Sequence, residues 1–256
     1  MNPLYSMAGV LVGLLVGMTG VGGGSLMTPL LVLAFGFHPA TAVGTDLLYA
    51  SVTKTVGTGV HGWRGTVDWR IVRRLAAGSI PATLVTLLVL ARMGERTSET
   101  GHLIAILLGA TLVLTAVATL FRHRVVGWLT RRLGTAEGGR LTGWTVSLGA
   151  MLGVLVSLTS VGAGALGMTA LLVLYPRHPL KSLVGSDIAH AVPLTLLAGL
   201  GHWLLGSVDL TLLAALLVGS IPGIIAGSLL ASTVREGVLR PVLAVTLALV
   251  GFKLLV

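Results

Sequence analysis

Apolar segments follow one another along the whole chain, with no polar stretch longer than about 20 residues between them. They fall near 4–20, 25–36, 41–60, 71–91 and 102–121, and again near 141–159, 165–176, 183–205, 209–231 and 238–256. A helix needs about 20 apolar residues to cross a hydrocarbon core roughly 30 Å thick. The pattern therefore predicts an all-α polytopic membrane protein with about 8–10 membrane segments. Composition agrees: 54% of the 256 residues are hydrophobic and 10% are charged, against about 25% charged in a soluble domain. So few polar residues cannot cover a water-facing surface.

The second set of segments copies the first. The string GLLVGMTGVGGGSLMTPLLVLAFGFHP (13–39) aligns with GVLVSLTSVGAGALGMTALLVLYPRHP (153–179). After one inserted residue, VGTD (43–46) meets VGSD (184–187), His61 meets His202, and GSIP (78–81) meets GSIP (219–222). Shared apolar composition does not produce several matches in one register. The expected organisation is a first transmembrane repeat at 1–121, a basic cytoplasmic linker at 122–140 and a second repeat at 141–256.

Charge sets the expected orientation of the halves. If each half crosses an odd number of times, the loops at 61–74, 122–140, 177–182 and 232–240 share one side and hold 13 of the 17 Lys and Arg. The opposite side holds Arg92, Arg96 and Lys253. Four crossings per half lower the split to 10 against 6. The positive-inside rule favours the first arrangement, an inverted repeat with both termini outside. The net charge of +9 is read the same way. The aromatic-interleaved basic surface of a nucleic-acid binder is missing, so no nucleic-acid partner is expected.

The short segments at 25–36 and 165–176 each follow a glycine-rich break, at Gly22–Ser25 and Gly162–Ala165. Non-helical backbone at membrane depth survives only where protein buries it or it lines a cavity. Paired breaks of this kind in two halves point to a transporter's binding site. A helix that begins there has N–H groups without partners and a positive dipole end, and glycine lets a ligand approach closely. Two such ends form a concave anion site. The candidate substrate-binding residues are Thr19, Gly22, Gly23, Gly24, Ser25, Lys54, Thr159, Ser160, Gly162, Ala163 and Gly164. The rival reading is that the glycines only let helices pack closely.

Lys54 lies well inside its apolar segment, where a charge costs about 2.5–3.5 kcal/mol on insertion scales. It either faces a polar cavity and an anion or snorkels toward the loop at His61. Its repeat counterpart is Thr195. Asp46 and Asp187, each after a Thr or Ser near a segment start, read as helix-capping acids or as members of a proton relay with His190. His61 and His202 stand beside Trp63 and Trp203, which suggests interfacial anchoring, and Pro81 and Pro222 suggest helix kinks.

Cysteine is absent, and no HExxH, nucleotide motif or serine–base constellation stands out. No enzyme activity, cofactor or metal site is expected. The expected partners are a small anionic substrate and the lipid bilayer. An anion channel and a structural membrane protein are the alternative readings.

The Gly-rich string TGVGGGSLMTPLL (19–31) has a degenerate copy, TSVGAGALGMTALL (159–172). With them go HPATAVGTD (38–46), HPLKSLVGSD (178–187) and the H-x-x-x-G-x-V-D stretches at 61–68 and 202–209. Together these resemble the TauE/SafE, or sulfite exporter, family of membrane proteins over nearly the whole chain. The resemblance implies a multi-pass plasma-membrane transporter for sulfite, sulfonates or related organosulfur anions. Ala163, Ala165 and Thr169 stand where the first copy has Gly23, Ser25 and Pro29, so the two half-sites differ.

Overall fold

The computed structural model describes residues 3–19, 24–63, 65–94, 97–133, 137–230 and 236–255. Among them the chain forms eleven helices and no strand. In the first half these are α1 Pro3–Thr19, α2 Gly24–Leu33, α3 Pro39–Trp63, α4 Trp69–Met93 and α5 Ser98–Leu120. In the second half they are α7 Gly138–Thr159, α8 Ala165–Leu174, α9 Leu180–Leu204, α10 Leu210–Leu230 and α11 Glu236–Leu255. Between them lies α6, Arg122–Leu133, in the stretch expected to be a linker. α6 has no proline, rests partly buried Val125, Val126 and Leu129 beside α8, and turns Arg124, Arg131 and Arg132 outward.

Among the described residues, five helices are long and apolar enough to cross a membrane: α4, α5, α7, α9 and the Leu210–Gly227 part of α10. Pro81 and Pro222 lie inside α4 and α10. α3 has 25 residues but carries Thr45, Asp46, Ser51 and Lys54, so it is less apolar. Its polarity is tolerated because protein surrounds it: residues 42–51 are all buried. The first half of α3 is thus interior, and the helix brings charge into the molecule.

The short helices double back. The Tyr5 ring near the start of α1 meets Phe35 at 5.1 Å and Phe37 at 5.8 Å between ring centroids, just after α2. The chain therefore enters along α1 and returns along α2. Ten residues of helix cover only about 15 Å, half of a core roughly 30 Å thick. α2 alone is therefore too short to cross such a core. In the second half, Thr145 Oγ1 and Tyr175 Oη lie 2.8 Å apart, at the positions matching Tyr5 and Phe35, and α8 returns in the same way.

Contacts between the halves come in matched pairs. A Cβ added to Gly9 or Gly13 of α1 would meet the carbonyls of Leu216 or Ser220 of α10. A Cβ added to Gly149 or Gly153 of α7 would meet those of Leu75 or Ser79 of α4. In both pairs the residue numbers rise together, so the helices run parallel and in close contact. The Asp209 N–H donates to Thr45 Oγ1 at 3.1 Å, and the Asp68 N–H donates to Ser186 Oγ at 2.8 Å. Two apolar cores follow the same rule: Val12, Leu31, Ala42, Leu212 and Leu216 form one, and Leu152, Leu171, Leu183, Ile71 and Leu75 the other. The matched helices α3 and α9 pack on each other, with Gly44 against His202 and Gly199 against Leu48. Rising numbers on one meet falling numbers on the other, so α3 and α9 are antiparallel.

Candidate substrate site

The candidate site lies where the short helices α2 and α8 meet the α3–α9 pair. Gly22 and Gly23 lie outside the described residues. Thr19 ends α1 and Gly24 begins α2. In the first turns of α2, Ser25 and Thr28 are buried, and the Thr28 hydroxyl donates to Asp46 Oδ2 at 2.5 Å. This bond ties the short helix to the interior helix.

The second break is described throughout. α7 closes with the Ser160 N–H donating to the Val156 carbonyl at 2.8 Å, and Ser160 takes the left-handed conformation at φ 57°. That conformation costs a non-glycine residue about 1–2 kcal/mol. Gly162 at φ 119° and Gly164 at φ 134° then carry the chain through angles that only glycine adopts freely. The Gly167 N–H turns back to the Gly162 carbonyl at 3.0 Å, so the break folds against the first turn of α8. The Thr159 hydroxyl is engaged within this turn, donating to the Leu155 carbonyl and accepting from the Val161 N–H. Ser160 Oγ is buried and has no hydrogen-bond partner.

Lys54 reaches into this break. Its Nζ donates to the Ala163 carbonyl at 3.3 Å, rather than rising toward the loop at His61. The first half thereby supplies the cation and the second half the broken backbone. Thr195, its counterpart, keeps its hydroxyl on the Ala191 carbonyl of its own helix. Lys54 also lies within electrostatic reach of both Asp187 and Asp46.

Asp46 and Asp187 are not caps. α3 begins at Pro39 and α9 at Leu180, which places each acid at the eighth helical residue, beyond the free N–H groups of the first turn. Both are buried, and Asp46 Oδ1 and Asp187 Oδ1 have no hydrogen-bond partner. Asp187 Oδ1 lies 2.7 Å from where a Cβ on Gly167 would stand, so this glycine makes room for the carboxylate. His190 is fully buried, with Nε2 at 2.8 Å from Ser79 Oγ and Nδ1 without a partner. His202 is not an interfacial anchor: it is fully buried, and its Nε2 hydrogen-bonds the Ser157 carbonyl at 2.8 Å. Trp203, its neighbour, does face outward.

The structure thus brings together Lys54, Asp46, Ser160, Ala163 and Asp187, and turns Thr159 inward on its own helix. The sequence reading missed Thr28, Gly167 and Ser79 as partners of the buried acids and histidine. Ser79 was within view, since it belongs to the repeated GSIP. Thr28 was not, because Met168 occupies the matching position. Arg122, at the start of α6, also lies within electrostatic reach of Asp187.

A polar, charged interior among helices able to cross a membrane, with two short helices beside them, fits the multi-pass helical membrane transporter class. The sequence profile of the sulfite exporter TauE/SafE family matches residues 5–254, and the chain belongs to that family. It is 38% identical over 250 residues to the probable membrane transporter protein YjnA of Bacillus subtilis (strain 168), covering 96% of this chain and 97% of that protein. It is 28% identical over 254 residues to the probable membrane transporter protein YdhB of the same organism, covering 96% of each. A probable membrane transporter protein of Xylella fastidiosa (strain Temecula1 / ATCC 700964) is 28% identical over 227 residues, 88% of this chain and 83% of that protein. No solved structure matches the chain.

Proposed function

We propose that this transporter is a secondary carrier of a small sulfur oxyanion, such as sulfite or a sulfonate, across the plasma membrane. The cargo binds at mid-depth between the N-terminal ends of α2 and α8. One observation carries the reading: the Lys54 ammonium of the first half meets the broken backbone of the second half at Ala163. A cation and the positive ends of two helices then face one small space, and an anion satisfies both. The antiparallel packing of α3 on α9 and the matched contacts support a repeat inverted about an axis in the membrane plane. The parts of that arrangement are the halves at 1–121 and 141–256. Rocking one half against the other would expose the site to each side in turn.

The test is uptake into vesicles holding purified protein, with radiolabelled sulfite, taurine and methanesulfonate as a panel. Saturable flux with counterflow of at least one anion, lost in Lys54→Met, is the expected result. Flux linear in concentration describes a channel instead. No flux of any member rejects the substrate class.

A further inference from the structure

We infer that the cargo anion binds together with protons held by Asp46 and Asp187, making the carrier an anion–proton symporter. This rests on the anion-site reading above. The two aspartates are repeat mates on antiparallel helices, and both lie within reach of Lys54. Each is buried and keeps one oxygen, Oδ1, without a hydrogen-bond partner. Asp46 Oδ2 is held by Thr28, and Asp187 Oδ1 lies beside Gly167 in the first turn of α8.

With both acids ionised, the two carboxylates cancel the positive charges of Lys54 and Arg122, which leaves no net positive charge to draw an anion into an interior where charges are poorly screened. An added anion makes the cluster negative and adds to carboxylates that can only accept hydrogen bonds. Protonation removes the like charge and also changes what Oδ1 can do, since a protonated carboxyl donates a hydrogen bond where a carboxylate only accepts. The same atom that repels an anion then holds it. A monoanion arriving with one proton, or a dianion with two, leaves the net charge of the cluster unchanged. Each proton comes from water on the side of entry and leaves to water with the anion on the other side.

Charged and titratable groups surround both acids. Asp46 faces Lys54 and Tyr49 on α3, the hydroxyls of Thr28 and Ser160, and the start of α10, where the Asp209 carboxylate is occupied with the Leu212 N–H. Asp187 faces Lys54 from α3 and Arg122 from α6, and has His190 three residues on. Beyond it, the Asp68 carboxylate caps the Arg70 N–H and pairs with His178. His190 is the third candidate member of the proton relay, with Nδ1 open.

Calorimetric binding of methanesulfonate and sulfate to the full-length detergent-solubilised protein decides the matter. Both anions keep a fixed charge across the pH range used, about 5.5–8.5. Titration in buffers of different ionisation enthalpy counts the protons taken up. The expected count is one per methanesulfonate and two per sulfate, with affinities falling about 10-fold and about 100-fold per pH unit on the alkaline side. Asp46→Asn and Asp187→Asn, checked for unchanged thermal stability, should each remove part of the uptake. Binding without proton uptake overturns the inference. So does uptake that survives both Asn variants and vanishes in Lys54→Met, since the proton then belongs to the ammonium. If neither anion binds at any pH, the anion-site reading itself falls.

Discussion

Lys54 lies nine residues or more from either end of α3, and the repeat puts Thr195 in its place on α9. Lys54→Met keeps the apolar bulk and removes the charge. Expression and fold should persist while anion binding falls at least 10-fold, read as the dissociation constant of the purified protein. Arginine should restore only part of it, because a planar fork does not occupy the place of a compact ammonium at the Ala163 carbonyl. Ser160 gives a prediction of opposite sign for stability. Its counterpart is Gly20, and glycine carries no penalty at φ 57°. Ser160→Gly should stabilise the protein by about 1 kcal/mol in thermal unfolding while weakening anion binding. Unchanged binding would reduce the hydroxyl to a bystander. What could be read here from sequence had a simple cause: a lysine in an apolar run is costly, so its presence is conspicuous. The true position of the acids was less accessible. The apolar run begins after the helix does, because Pro39 and the Pro179–Leu180 step start α3 and α9 two and three residues earlier. An acid that looked terminal is therefore internal.

At the scale of elements, the broken helices and the glycine-lined helix pairs make separate predictions. If the α2 N-terminus acts on an anion, Ser25→Asp should weaken binding far more than Ser25→Asn. The aspartate would answer the helix dipole with its own charge. Equal binding by the two variants would leave the glycines as packing residues. The glycines of α4 and α10 do serve packing: a Cβ on Gly78 would stand 1.9 Å from the Val146 carbonyl, and one on Gly219 1.9 Å from that of Ser6. Gly78→Ala and Gly219→Ala should both lower thermal stability by 2 °C or more, each on the order of 1 kcal/mol or more. Gly143→Ala, with open space around it, should not. The ten apolar helices were legible because each keeps its hydrophobic run between polar or glycine breaks. α6 escaped because its basic residues resemble those of a loop, and only packing beside α8 makes them one face of a helix.

For the whole molecule, orientation is the open variable that labelling resolves. The chain contains no cysteine, so single cysteines can be placed at Arg70, Arg177 and Ser98. A membrane-impermeant thiol reagent on intact cells should mark Ser98→Cys alone, since the basic loops belong inside. Labelling at Arg177→Cys would place the second half the other way up and remove the inverted repeat. The duplication could be read from the sequence, because matched strings in one register leave little room for chance. Which half packs against which could not, because glycine patterns name a close contact without naming the partner.

The close pairing of α1 with α10 bears on how the protein is made. A helix that lies against a carbonyl ridge of the other half has no such surface in its own half. Gly9 of α1 meets Leu216 of α10, and the ribosome adds about 5–20 residues each second. α1 therefore waits roughly 10–40 s in the bilayer before its partner exists. During that time its glycine face is open to lipid or to any other helix that offers a matching ridge. Assembly of this molecule is a matter of timing as well as fit: a nascent first half must stay inserted and uncommitted until the second half arrives to close it.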